Sequence, residues 1–324
     1  MRPRAEILLD GQPVASAFYS VLTSVHVTDE LGIESDTVTL VLDEGRGEIA
    51  LPRPGARIDV RLGFLEQGLH RMGTFAVDAV SGSGPVAKLT LSGTAIDLGS
   101  PIRQAKTRSW EAQTLRQITD TIASEAGLRP VVSDDLADTF YAMVAQTAES
   151  DLHLLTRLAR PLDAVAKAAD GRLILAKLGT GRDASGAALA PVPVTRRDLT
   201  EWTWSEEERE KMGRVRARWQ DLAMGRDEVV EVGDGDPVKD LRKVHATRAE
   251  AERAAAAELD RSRRGDLRIH CRGRFQPGLF AGGQVDLRGL RSTLDGIGDV
   301  RSVTHHLGGA LTTAFTVSRR KSSG

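Results

Sequence analysis

A few residues in this sequence have side chains suited to chemistry. Glu149 and Asp151 flank Ser150, and two close carboxylates are what a hydrolase would use as acid and base. They also sit where a helix should begin, and a helix N-terminus stabilises carboxylates without any catalysis. Ser150 has no evident partner. His305 and His306 are adjacent in a predicted strand, so their side chains face opposite sides and cannot ligate one metal together. One packed and one solvated histidine is the expectation. Asp234 and Asp236, in Gly-Asp-Gly-Asp-Pro, echo a calcium loop, but the rest of the ligand pattern is missing, and a hairpin turn is expected. Gly82-Ser83-Gly84 is followed by Pro85 and a strand. A phosphate cradle needs a helix N-terminus there, and no Walker lysine follows any glycine cluster.

Cys271 is the single cysteine, which excludes an intrachain disulfide or a thiolate cluster and points to a small buried apolar residue. Arg214, Arg216 and Arg218 share one strand face, which suits a channel lining, an acidic partner or plain solvent. Glu206-Glu207-Glu208 reads as a solvated loop. Nothing converges, so no catalytic, cofactor or metal residues are expected, and the chain is not expected to be an enzyme. Interface residues are left unassigned.

The elements that must position these residues fall into three stretches. Over residues 1–98 apolar and polar residues alternate at 24–29, 36–43, 57–63, 74–80 and 87–92, the period of half-buried strands. Ser81 to Pro85 is a turn cluster. Residues 99–178 read as α+β. A helix capped by Ser109, with Glu111 in its first turn, should carry the stripe Leu115, Ile118 and Ile122 as far as Ala126, and Gly127 suits a left-handed exit. A second helix should start at Ser150, bury Leu152, Leu155, Leu158 and Ala159, and stop or kink before Pro161. Residues 164–168 and 172–176 flank Asp170-Gly171, a hairpin signal.

Residues 179–198 read as a Gly/Ala/Pro-rich linker. In 199–324, Trp202 and Trp204 share a strand face. Thr247 and Glu250 form a capping box for an Ala-rich helix that Gly265 closes, and strands return at 266–273, 284–290, 298–307 and 312–318. No residue-level repeat is visible.

Composition bounds the function. The 324 residues are 40% apolar and 27% charged, enough for two or three soluble domains. Net charge is −1, split as −5 over residues 1–194 and +4 over 195–324. That balance argues against a dedicated nucleic-acid binder, although a local basic patch stays open. Ile7-Leu8-Leu9 stops at Asp10-Gly11, so neither a signal peptide nor a membrane anchor is expected.

Several stretches, taken in order, carry a family resemblance. They are Ser109-Trp110 after Gly93 to Asp97; Glu149-Ser150-Asp151-Leu152 through Leu155-Thr156-Arg157-Leu158-Ala159-Arg160; Gly171-Arg172-Leu173; Ala249 to Glu252 leading to Leu259; Gly282 to Leu287; and Val303-Thr304-His305 with Thr312-Thr313. Their order resembles the late-control D family of phage tail proteins, the baseplate hub of contractile tails, related to the hub part of type VI secretion spike proteins.

The resemblance implies an α+β, mostly β fold. Two tube-like antiparallel β-barrel domains, at 1–98 and 199–324, would hold a helical and hairpin insert between them, the second with a flanking helix. It implies a homotrimeric ring that imitates six-fold symmetry and joins a tail tube or tube-initiator protein to a central spike, among other baseplate proteins. The ring would assemble in the bacterial cytoplasm and end in the virion or tail-like particle. Whether that particle is a phage, a prophage product or a contractile injection device is open. The relatives' C-terminal Val-Gly spike repeats do not follow Arg319, so the spike is expected to be a separate protein, and Arg160-Pro161 departs from the family's continuous helix. Three other readings remain beside this one: a different tail component such as tube or baseplate protein, a tail-associated cell-wall hydrolase, and a nucleic-acid-binding regulator.

Overall fold

The computed structural model describes residues 1–324 apart from 33–35, 44, 46–49, 86, 96–100, 170, 182–186, 207–211, 222–223, 264–266 and 320–324. The first stretch holds β1 (Pro3–Leu9), β2 (Gln12–Pro13), α1 (Ser16–Val21), β3 (Leu22–Glu30), β4 (Thr37–Asp43), β5 (Arg57–Phe64), β6 (Gly68–Ser83) and β7 (Lys88–Ala95). The middle stretch holds β8 (Ala105–Thr114), α2 (Leu115–Ala126), β9 (Arg129–Val132), α3 (Asp134–Ala137), β10 (Phe140–Ser150), α4 (Asp151–Ala159), β11 (Ala164–Ala169) and β12 (Arg172–Lys177). The last holds β13 (Val192–Thr195), β14 (Leu199–Glu206), β15 (Arg214–Asp221), β16 (Arg226–Gly233), β17 (Val238–His245), α5 (Arg248–Arg263), β18 (Leu267–Arg274), β19 (Gln284–Arg288), β20 (Gly296–Leu307) and β21 (Leu311–Arg319). The fold is α+β and mostly β, as expected.

The two outer stretches share one sheet, with strand order β14-β18-β21-β20-β3-β4-β7-β6-β5-β1-β2 and β13-β19 branching from β20. Among the described residues this hydrogen-bonded path is open, ending at β14 and β2. Within it one order occurs twice: β3-β4-β7-β6-β5 and β14-β18-β21-β20-β19, antiparallel throughout.

The irregularities repeat too. β3 bulges at Thr23 and β14 at Thr200, and each threonine hydroxyl donates to a carbonyl of the facing strand, Val41 O at 2.8 Å and Arg272 O at 3.1 Å. Register shifts between Val77 and Ala79 in β6, and between Val300 and Ser302 in β20. Gly55 donates to Val77 O at 2.8 Å and Val77 to Ala56 O at 2.9 Å. Gly282 donates to Val300 O and Val300 to Gly283 O, both at 2.9 Å. Gly73 (φ 146) faces Val60 as Gly296 (φ 123) faces Leu287, and both need a backbone region that side chains disfavour.

Alternation explains why these segments are strands. β4 buries Val38, Leu40 and Leu42, while β18 buries Leu267, Ile269 and Cys271. One core gathers the first stretch and the middle one, a second fills the space around β18–β21, and a third lies under α5. There Ala251, Ala255 and Leu259 pack on Val215 and Ala217. The flanking helix thus covers its own three-stranded sheet, β16-β15-β17, inserted between β14 and β18. Only half of its expected capping box is present: Glu250 N–H donates to Thr247 Oγ1 at 3.2 Å, but the Glu250 carboxylate accepts from Ala246 N–H and not from Thr247 N–H. Gly265 lies outside the described residues.

Several expectations need correction. The first middle helix starts at Leu115, not at Ser109. Residues 105–114 are a strand on which Trp110 is buried, and Thr114 caps the helix in a reciprocal box with Gln117. The periodic stripe of Leu115, Ile118 and Ile122 is buried as expected, and Gly127 exits at φ 67. β6 runs through Ser83, so the turn begins at Gly84 and not at Ser81. Residues 234–237 are not a hairpin. β16 and β17 flank β15 on opposite sides, so the segment crosses under the start of β15, where Gly213 N–H reaches Pro237 O at 3.0 Å. The second helix, the β11–β12 hairpin and the four C-terminal strands lie where expected, although Asp170 is outside the described residues.

Because Thr114 caps α2, Thr114→Ala should cost about 1 kcal/mol, while Ser109→Ala should stay within about 0.5 kcal/mol. Urea unfolding of both variants measures the difference.

Candidate functional site

The residues singled out for chemistry are dispersed, and most of them are engaged structurally. Asp151, 1% exposed, opens α4, which Ser150 caps by accepting from His153 N–H at 3.3 Å. Its carboxylate receives Lys106 Nζ at 2.6 Å, Arg108 Nη2 at 2.7 Å and Gln146 Nε2 at 2.8 Å. Gln146 also accepts from Trp110 Nε1 at 3.1 Å, and the Arg108 guanidinium lies 4.1 Å over the Trp110 ring. A buried carboxylate so fully paired clamps the β8–β10 arm onto α4. Glu149 turns to Arg157 Nη2 at 2.7 Å. The two carboxylates therefore serve separate ion pairs and do not form an acid–base pair.

His305 is buried, with Nδ1 2.9 Å from Thr313 Oγ1, while His306 stacks on His26 at 4.2 Å on the other face. The adjacent histidines divide as expected. Burial of Cys271 pushes its thiol up to about 12. Arg214 and Arg216 both bind Glu231 of β16, at 2.8 and 2.6 Å. Two of the three arginines on that face are thus paired within their own sheet. Of the acidic run, Glu206 ends β14, and 207 and 208 lie outside the described residues. Gly82 and Ser83 close β6, with no helix after them. Among the described residues, no group of three or more His, Cys, Asp or Glu is placed to hold a metal, and no helix is long and apolar enough to cross a membrane.

What the structure does bring together is a junction. The C-terminal half of β20 pairs antiparallel with β3, Ser302 opposite Glu30 through Leu307 opposite Val25. The Thr28 and Thr304 hydroxyls meet at 3.2 Å. Lys167, from β11, reaches over this joint to Asp29, to Asp36 at 2.9 Å and to Glu30 O at 3.0 Å. The second oxygen of Asp29 accepts Ala281 N–H at 2.8 Å. All three stretches of chain therefore meet at one half-buried carboxylate. The sequence reading passed over this cluster because its members are far apart in the chain and individually ordinary.

The cluster and its neighbour His305 respond to pH in opposite directions. Burial, with Asp29 beside it, pushes the Asp36 carboxyl up to about 6 against the pull of Lys167. Its folded pKa lies above the ordinary 3.8, so the folded chain binds this proton first, and stability rises as pH falls from about 6 toward 4. Burial lowers His305 from 6.5 to about 4, so the unfolded chain binds that proton first and stability falls over the same interval. Asp36→Asn should therefore steepen the loss of stability between pH 7 and 4.5, and His305→Gln should flatten it, each by about 2 kcal/mol. Urea titrations of the parent and both variants at the two pH values check the signs.

Comparison with known proteins places this architecture. The chain is 26% identical over 306 residues to a probable baseplate hub protein of Escherichia phage 186, covering 82% of this chain and 79% of that protein. A tail protein from Neisseria meningitidis MC58 has a similar fold, with TM-score 0.73 at 13% identity over 98% of this chain and 97% of that one. So does a component of the type VI secretion system of E. coli, with TM-score 0.56 at 12% identity over 94% and 74% of the two chains. The profile of the phage tail baseplate hub (GPD) family matches residues 76–309, from within β6 through the insert to the end of β20, and the chain belongs to that family.

Proposed function

We propose that this chain is the structural hub subunit of a contractile tail, acting through shape and contacts and not through catalysis. Each repeated five-strand module forms a tube-like barrel, over residues 1–98 and 199–324, with 99–178 as an insert and 179–198 as a linker. Three subunits then present six similar modules. Such a ring matches a six-fold tail tube or tube-initiator protein on one side and a three-fold spike on the other, with other baseplate proteins around it.

One observation carries this reading: the strand order and its bulges recur in the two outer stretches. A duplicated module of this kind has no evident use in an isolated monomer, whereas it supplies the near-equivalent positions that a symmetry mismatch requires. Membership of the hub family supports the same reading.

Sedimentation or native mass measurement of the purified chain tests it. A species of three chain masses, seen as a ring by negative-stain microscopy, is expected. A six-chain ring would instead indicate a tube component. Lysis of peptidoglycan by the chain alone, read as loss of turbidity, would overturn the non-enzymatic assignment.

A further inference from the structure

The insert and the sheet under α5 meet along a cleft of about 420 Å³ that the hub reading does not use. Tyr141 of β10 and Arg157 of α4 stand on the insert side. Lys243 and His245 of β17, with Glu250 and Arg253 of α5, stand on the other. The volume suits a small molecule, and the lining indicates which kind.

His245 is 6% exposed, and its Nε2 is buried with no hydrogen-bond partner among the described residues. An unpaired buried ring nitrogen costs free energy that a ligand atom would restore. Arg157 commits Nε and Nη2 to Glu149, at 3.0 and 2.7 Å, and Nη2 also to Ala145 O at 2.9 Å, which leaves Nη1. Among the described residues, Lys243 and Arg253 enter no ion pair. Glu250 is the one carboxylate on the cleft, and it accepts from Ala246 N–H at 3.3 Å. With Glu149 neutralising Arg157, two cations face one carboxylate, and four elements direct donors at one space.

We propose that this cleft binds a phosphate group, either as inorganic phosphate or as a small phosphate monoester. Lys243, Arg253 and Nη1 of Arg157 meet its charge, while His245 Nε2–H and the Tyr141 hydroxyl donate to its oxygens. A phosphate brings three or four acceptor oxygens to this set of donors, where a carboxylate brings two. The neutral donors are in the right state. Burial pushes the Tyr141 phenol up to about 12, so it keeps its proton. Burial and then the Lys243 charge lower His245 below its ordinary 6.5, against the pull of Glu250, so the free site holds a neutral imidazole with one N–H to give. A bound anion beside the ring would raise that pKa. Since the donors come from both sides of the cleft, the anion also braces the insert against the α5 unit, and all of them belong to a single chain.

Isothermal titration of the full chain with inorganic phosphate tests the site. One saturable site per chain is expected, with a Kd below about 1 mM. Thermal unfolding should shift upward with phosphate at fixed ionic strength. Lys243→Gln, at an exposed position, should leave folding intact and weaken binding at least about 10-fold. Arg242→Gln, one residue along β17 but outside the cleft lining, should change affinity less than about 2-fold. By NMR, the His245 ring should titrate at higher pH in phosphate than in acetate of the same ionic strength. Glycerol phosphate separates the two sources: tighter binding than phosphate identifies a monoester, weaker binding the free ion, and both support the site.

The absence of saturable binding would overturn the proposal. So would equal losses in the two variants, which would indicate diffuse charge, or acetate binding as tightly as phosphate. None of these outcomes bears on the number of subunits, so the hub reading is tested separately.

Discussion

The β20–β3 ladder is the constraint on which the rest of the molecule depends. Two modules joined by a loop alone would swing, and their relative orientation would be set by weak surface contacts. Here the backbone amides of residues 302–307 are committed to residues 25–30, so the angle between modules follows from strand twist. Leaving that ladder unmade would strand buried backbone donors and acceptors, a cost that no single side-chain contact can offset. Lys167 adds to this from outside. Its ammonium sits between two carboxylates that would otherwise repel, so the insert is held at the joint by a charge the joint itself needs. Chain folding in one part therefore completes the electrostatics of another.

Much of this architecture was legible from residue patterns. Alternation located the strands of both modules because one face of each is buried, as at Val38, Leu40 and Leu42. Where the pattern competed with itself, it misled. Residues 105–114 hold Lys106, Arg108 and Trp110 on one strand face, yet Ser109 and Glu111 also fit a helix start. Thr114 and Gln117 supplied the stronger cap, at the residue immediately before the hydrophobic stripe takes hold at Leu115. The turn at 234–237 was read as local, but a connection across the end of β15 depends on a third strand that no local signal announces.

The duplication left almost nothing in the side chains. Thr23 and Thr200 agree, each bonding its hydroxyl to a facing carbonyl, as do Gly55 and Gly282, and Gly73 and Gly296, where positive φ favours glycine. Elsewhere the core needs only apolar volume, so Leu40 can stand where Cys271 stands, and Val27 where Trp204 stands. Repeats preserved in hydrogen bonding but not in identity are visible only once register is known. The Asp29–Lys167–Asp36 cluster escaped for a related reason: its chemistry exists only after residues far apart in the chain are folded together.

The two modules differ most where β3 runs into β4 through residues 31–36 while β14 reaches β18 only through the inserted sheet and α5. In a ring of three, that insertion would recur at alternate places around the circumference. A hexagonal neighbour laid against such a ring would lose half its rotational degeneracy, since a one-sixth turn exchanges decorated positions for bare ones. In such a ring the insertion would act as an index mark that sets the rotational phase between two objects of unequal symmetry.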